Sequence, residues 1–302
     1  VSPADAELGA RPESPAFAGG VARRMWQALE PYHAVTYFVP ESRRATDRLG
    51  LKGGWMSYFG LRAAPLGAAP AGLVGAVFYN FHPNRVGRAI PAAWQAATPS
   101  ALVEARRRSV DEALRRVLGD AVGSAELAEA AELARRAAMA APLDGRVLAA
   151  ANAALPWPSE PHLVLWHAQT LLRESRGDAH VAALVCARLD PCEALVTFAA
   201  DGRAVADELR EFRGWSVEEW ADARSRLVRR GLLDPAGALT ADGAELRAWV
   251  EERTDLAAVP SWAELGPESC ERLVSLTRPL VSAIIDGGAF MSNNPMGLKP
   301  LP

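Results

Sequence analysis

Apolar residues recur at helical spacing along most of this chain and at strand spacing almost nowhere. Leu102, Val103, Val110, Leu114, Val117 and Leu118 share one face of residues 100–118, with Pro99 and Ser100 opening the segment and Gly119 closing it. Those residue types start and stop helices, so the segment predicts a long amphipathic helix. The same reading predicts helices over 21–30, with Pro31 as a break, and over 55–62, 72–81, 83–94 (despite Pro91) and 125–141. Further on it predicts 161–173, 179–189 capped by Asp178, 191–200 led by Asp190 and Pro191, and 217–230 capped by Ser216. A helix over 244–253 takes Thr240 or Asp242 as its cap, and a closing helix over 267–285 carries Pro279 as an interruption. Segment 31–39 reads as a short helix or an irregular packed stretch, and the Pro-rich 142–161 as a rigid connection. The helical period gives way at one place: Leu232 and Leu233, the turn Asp234-Pro235-Ala236-Gly237, then Leu239 and Thr240 predict two short strands about a tight turn. Residues 1–20, rich in Pro, Ala, Gly and acid, predict a disordered tail, and the end from 293 an extended one.

A longer period overlies these. Pro31, Trp55 and Arg62 are spaced 24 and then 7 apart, and so are Pro142, Trp166 and Arg173. Segments 71–93 and 179–200 share an Ala-rich helix, a Pro turn and a second helix. A degenerate duplication of roughly 111 residues accounts for both, although Ala/Arg-rich sequence also matches itself readily. The expected fold is therefore all-α: tandem, pseudo-duplicated winged-helix-like units over 21–145 and 146–302, the second with a small two-stranded β wing, a closing helix and a tail.

Composition changes the functional side of this picture. Half of the 302 residues are hydrophobic and 23% are charged, enough for a large core, and the formal net charge is −3. Residues 21–145 hold 16 Arg/Lys against 11 Asp/Glu, whereas 146–302 hold 16 against 22. The half with the clearer wing is thus the acidic one, the reverse of a nucleic-acid binder's balance. Helix 191–200, PCEALVTFAA, offers no Arg, Lys, Asn or Gln to a base edge, and the turn DPAG offers no Arg to a minor groove. Arg85 and Arg88, beside Asn84, are the residues that would touch phosphate, if any do; a solvated helix face explains them equally. DNA binding is expected to be weak or absent. Three cysteines without CxxC spacing point to reduced, buried thiols. With no basic start followed by an apolar run, and no apolar stretch long enough for a bilayer, the chain reads as cytoplasmic and without a membrane partner.

The candidate chemistry is dispersed. His33 lies among Tyr32, Tyr37 and Phe38, and His167 and His180 flank the link 173–178, so these three are the candidates for acid–base work or for holding a haem. The competing reading of each is a hydrogen-bonded core histidine. No metal-ligand spacing occurs, so no metal is expected, and no cofactor is predicted beyond the haem option. Arg62 and Arg173, at matched repeat positions, could clamp a carboxylate or phosphate or simply bond helix-end carbonyls. Trp55, Trp157 and Trp166, with Tyr37 and Tyr79, could wall a pocket between the units or form ordinary core.

The order "helix, RGLLD, turn, LTADGAEL" over 229–246 resembles the wing of MarR-type regulators, across about 80 residues from Trp166. From about Ala22 onward the chain resembles an actinobacterial group labelled "helix-turn-helix family protein", through PYHAVTYF (31–38), APLDGRVLAAANAALPWP (141–158), LWHAQTLLRESRGDAHVAAL (165–184), the 214–243 block and NPMGL (294–298). The resemblance implies a winged-helix architecture and brings no catalytic residues. The function expected from all this is a small-molecule-binding winged-helix protein that has largely lost DNA binding and acts on an aromatic or apolar ligand by acid–base chemistry. A ligand-responsive MarR-like regulator is the runner-up and a duplex-repair or self-resistance protein the third reading; a homodimer is an open assembly state.

Overall fold

The computed structural model describes residues 15–290, which form helices and the turns between them. In chain order these are α1 (Pro15–Phe38), α2 (Pro40–Arg48), α3 (Gly53–Ala63), α4 (Ala71–Val77), α5 (Pro83–Ala89), α6 (Ala92–Ala96), α7 (Pro99–Leu118), α8 (Ala125–Met139) and α9 (Val147–Ala153). They continue with α10 (Pro161–Cys186), α11 (Pro191–Ala200), α12 (Ala206–Arg213), α13 (Val217–Arg229), α14 (Ala241–Leu265) and α15 (Pro267–Asp286).

Pro31 does not break α1. Proline removes one helical hydrogen bond, but Leu29, Tyr32, Ala34 and Val35 around it are buried, and their packing holds the helix continuous. Pro260 in α14 and Pro279 in α15 are likewise interior to unbroken helices. Residues 15–20, expected in the tail, are the first turns of α1; the rest of that tail and the NPMGL segment lie outside the described residues. The single helix expected over 83–94 is two, divided at Pro91. Segments 161–173 and 179–189 fuse into α10, so Asp178 caps no helix of its own. Its Oδ2 instead accepts the Ala149 N–H at 3.0 Å, at the start of α9, a helix inside the supposed rigid connection. The fusion also separates His167 from His180: thirteen residues along one helix is about 20 Å at 1.5 Å per residue, not a juxtaposition across a turn.

The β wing is reduced to a single antiparallel bridge between Leu233 and Leu239, with no strand among the described residues. Asp234 closes the hairpin locally, its Oδ1 accepting the N–H of Gly237 at 2.7 Å and of Ala238 at 2.9 Å. With the turn so short, two more backbone bonds complete it, Asp234 N–H to Ala238 O and Thr240 N–H to Leu232 O. Thr240 then caps α14 through the Gly243 N–H.

The largest core joins α1, α7, α8, α10, α14 and α15 around Met25, Leu29, Tyr32, Leu114, Leu127, Leu163, Leu165, Leu273 and Ile284. It draws on both sides of residue 145. Two smaller clusters lie beside it. One gathers Phe59, Phe78, Phe81, Val86 and Ile90 of α3–α6 with Leu102 and Leu148. The other gathers Leu184, Leu189, Ala223, Leu227, Leu233 and Val250 where α10 ends, around α11, α13 and the hairpin. α5 and α11 are the second helices of the two segments aligned by the repeat, and both begin at proline after a side-chain N-cap, His82 and Asp190 respectively. No helix of the described residues is long and apolar enough to cross a membrane.

Candidate ligand cavity

Three long helices turn charged stripes toward one another. α1 presents Arg23, Trp26, Gln27 and Glu30; α10 presents Arg173, Arg176, Gly177, His180 and Leu184; α14 presents Arg247, Glu251 and Thr254. Each set is spaced three or four apart, so it lies along one helix face. α11 covers them with Ala194, Leu195 and Phe198, α12 and the segment leading into it with Arg203, Leu209 and Arg213, and the α4–α5 turn with Asn80. The cavity between them, partly open to solvent, measures about 240 Å³. It has an apolar wall of Leu184, Leu195, Phe198 and Leu209 and a charged floor.

The floor is an ion network. Arg23 donates to Glu251 at 2.6 Å and Asp255 at 2.7 Å, and Arg247 to Glu251 at 3.0 Å. Arg176 pairs with Asp255 at 2.8 Å and lies 4.9 Å over the Trp26 ring. Arg203 pairs with Asp201 at 2.7 Å and Glu251 at 3.4 Å. Arg173 bonds Glu174 at 2.8 Å and reaches Glu30 at 3.5 Å, while Arg62 grips Glu174 through two bonds of 3.0 and 2.9 Å. Arg213 rests 4.4 Å over Phe81. Seven guanidiniums (Arg23, Arg62, Arg173, Arg176, Arg203, Arg213, Arg247) thus face five carboxylates (Glu30, Glu174, Asp201, Glu251, Asp255). Arg176 Nη1, Arg213 Nε, Arg247 Nε and Asn80 Oδ1 are buried around the cavity without a hydrogen-bond partner. Orphaned polar atoms of this kind are rare in folded proteins and ask for an explanation.

The titrating groups on the cavity are pulled in different directions. Burial raises the Glu30 carboxyl to about 7, against the pull of Arg173. Burial also acts to raise Glu174, but Arg173 and Arg62 outweigh it and hold that carboxyl well below its usual range. Glu251 is at about 2, where burial is overcome by His180, Arg203 and Arg23. Burial lowers His180 to about 4. Thr254 donates its hydroxyl to the Val250 carbonyl, so the 2.9 Å contact with His180 is a bond from His180 Nδ1–H, which leaves Nε2 as the ring acceptor.

The residues singled out from sequence divide. His180 and Arg173 line the cavity. His33 does not reach it: it sits on a narrow extension of about 20 Å³ beneath, 1% exposed, donating from Nδ1 to Thr170 and accepting from Tyr37 at Nε2. His167 is core, edge-on to Trp157 at 4.8 Å, and burial lowers it to about 4. Arg62 and Arg173 do clamp a carboxylate, but it is the protein's own Glu174. Trp55 belongs to an aromatic cluster with Tyr58, Phe59, Phe81 and Phe212. Trp166 packs under Arg106, Trp157 under Arg135, and Tyr79 donates to the Leu189 carbonyl at 2.6 Å. The aromatic residues are therefore distributed through the cores and wall no common pocket. Arg23, Arg176, Arg203, Arg213, Arg247 and Glu30 escaped sequence reasoning. Their helical spacing was visible, but charged stripes ordinarily mark a solvated face.

No group of three or more His, Cys, Asp or Glu side chains that could hold a metal ion occurs among the described residues. His180 is the one histidine on the cavity lining.

Part of the surface expected to meet DNA is bonded within the protein. In α11, residues 192–197 are all buried, and Glu193 takes bonds from Arg226 at 3.0 Å and Arg230 at 2.9 Å. The helix directly ahead of the hairpin is α13, whose exposed first turns carry Glu218 and Asp222. Arg224 is spent on the hairpin, donating to Pro235 O at 2.8 Å. On α5, Arg85 donates to the Glu211 carbonyl and lies 4.5 Å over Trp55, while Arg88 is exposed. The α5 start is pinned to the α12–α13 turn by His82 N–H to Arg213 O at 2.9 Å, Trp215 Nε1 to Asn80 O at 3.0 Å, and His82 Nε2 with Glu219 at 2.8 Å.

A protein-family model described as a helix-turn-helix family matches residues 22–291. No curated protein and no solved structure matches the chain.

Proposed function

The chain belongs to the helix-turn-helix family, and from that premise we propose that it is a small-molecule-binding protein whose site is the arginine-lined cavity and whose DNA-reading surface has largely been given up. The observation that carries this is a cavity lined by Arg23, Arg173, Arg176, Arg203, Arg213 and Arg247 against Glu30 and Glu251, with unpartnered polar atoms of Arg176, Arg213, Arg247 and Asn80 buried beside it. Convergent polar groups on a part-apolar cavity are the usual signature of a ligand site. The aromatic or apolar ligand expected from sequence finds support in one wall, that of Leu184, Leu195, Phe198 and Leu209; the opposite face favours a polar head. For proton transfer, Glu30 is the group whose exchange falls at neutral pH, so acid–base chemistry on the ligand belongs to Glu30 before His180. The acidic exposed turns of α13 support the loss of DNA contact, because phosphate attraction needs several cations at once.

A ligand-responsive regulator is favoured by one observation. α12 supplies Leu209 and Arg213 to the cavity and passes through Gly214, at φ 89°, directly into α13. A ligand that moved Arg213 would move the helix ahead of the hairpin.

The test is a thermal-shift screen of small organic acids and aromatic compounds on wild type and on Leu195→Trp, which fills the apolar wall. Compounds that stabilise the first and not the second are expected; a screen in which both respond alike would remove the cavity as the site. Electrophoresis with random duplex at low salt separates the readings, since tight duplex binding would sink the loss of DNA contact.

A further inference from the structure

We propose that the cavity is a dianion site, and that its ligand is a compact apolar body bearing two negative charges. The inference rests on the reading of the cavity as a binding site and names the chemistry it selects.

The ion network of the floor has one guanidinium in excess of its carboxylates, and Arg213, which covers the cavity from α12, adds a second. Glu251 and Asp255 are each shared by more than one arginine, and Arg213 has no carboxylate partner among the described residues. A buried charge left uncompensated is strongly unfavourable, far more so than a buried neutral pair. The side chains with unspent N–H groups come from three separate elements, Arg176 from α10, Arg213 from α12 and Arg247 from α14, and all three line one space. Arg176 and Arg247 line the cavity while only 8% and 3% exposed, and their unpartnered N–H groups are shut off from bulk water. Guanidiniums brought to one space from three helices fit an anionic group with several oxygens, because their N–H groups pair best with carboxylate and phosphate oxygens. Asn80 lines the same space, and its side-chain amide turned over would add N–H donors. The remaining side of the space is aliphatic and aromatic. Its volume of about 240 Å³ is below the ~300–1,000 Å³ that holds a drug-sized molecule, so the apolar body is small, on the scale of a single ring.

Four one-ring probes separate charge from shape: phenyl phosphate, phthalate, benzoate and benzamide, titrated against the full chain by calorimetry with thermal shift beside it. Phenyl phosphate and phthalate are expected to bind saturably, benzoate roughly tenfold or more weakly, and benzamide not measurably. Arg247→Gln and Arg213→Gln, each removing a charge-assisted donor, should weaken the dianions by roughly ten- to a hundredfold. Leu195→Trp, which leaves every charge in place, should weaken all probes together and serves if an arginine variant does not fold. Binding of phenyl phosphate alone, or of phthalate alone, identifies the head as phosphate or dicarboxylate and upholds the proposal in either case. Benzamide binding as tightly as phenyl phosphate, blocked by Leu195→Trp, would overturn the dianion while keeping the cavity as a site. Absence of saturable binding by all four would overturn both.

Discussion

Gly243 occupies a position where a methyl group has no room: a Cβ built there lies 2.0 Å from the Leu232 carbonyl oxygen. The glycine of the LTADG motif is thus the point at which α14 is pressed against the hairpin backbone. Gly243→Ala must push α14 and the hairpin apart, and a loss of about 1–3 kcal/mol is expected from overpacking of this kind, read as a lower urea midpoint. Titration tests other single residues. Burial raises Glu30 from 4.5 to about 7, so the native state holds its proton more tightly than the unfolded chain does. Its contribution therefore falls as pH rises from about 4.5 to 7 and is flat on either side. His167 and His180 are lowered from 6.5 to about 4 by burial, so between those values the unfolded chain binds the extra protons and stability rises with pH. The two slopes oppose each other, and substitution separates them. Glu30→Gln should gain on wild type steadily between about pH 4.5 and 7, and His167→Asn should show a shallower rise between about pH 4 and 6.5. Urea unfolding across a pH series reads both.

Single helices explain why some of this was legible in the sequence and some was not. α13 was legible because its instructions are local: Ser216 accepts the Glu219 N–H and Glu219 returns to the Ser216 N–H, a closed capping box within four residues. α9 was not, because its first turn is satisfied by Asp178 from 29 positions away, and the surrounding prolines spoke for a linker. α1, α14 and α15 run through prolines that local propensity reads as breaks, since burial of their neighbours outweighs one missing hydrogen bond. The cavity was hidden for a related reason. Arg173, Arg176 and His180 on α10 carry the spacing of a solvated face, and only the approach of α1 and α14 turns that face inward. The coupling between α3 and α10 depends on Glu174, which takes Arg62 and Arg173 together while 1% exposed. Glu174→Gln leaves two buried guanidiniums without their shared countercharge, and a loss of about 3–5 kcal/mol is expected in equilibrium unfolding.

At the level of the whole chain, the two units read from the sequence share their largest core. α8 packs against α10 and α14, and α1 against α10, α14 and α15, so helices from either side of residue 145 interleave. Fragments 21–145 and 146–302, expressed separately, each leave one side of that core in water and are expected to lack a cooperative unfolding transition; circular dichroism with urea checks this, and a cooperative transition in both would show two independent domains. The cluster around α11, α13 and the hairpin is different, with buried Ala223, Leu227 and Leu233 of its own. That difference sets what can be inherited separately. A volume change on α8 is answered mainly on α10, α14 or α15, which ties the two halves to co-vary. The hairpin body has a core of its own but rests it on Leu184 of α10 and Val250 of α14, so drift there is limited only along the faces those two shared helices supply.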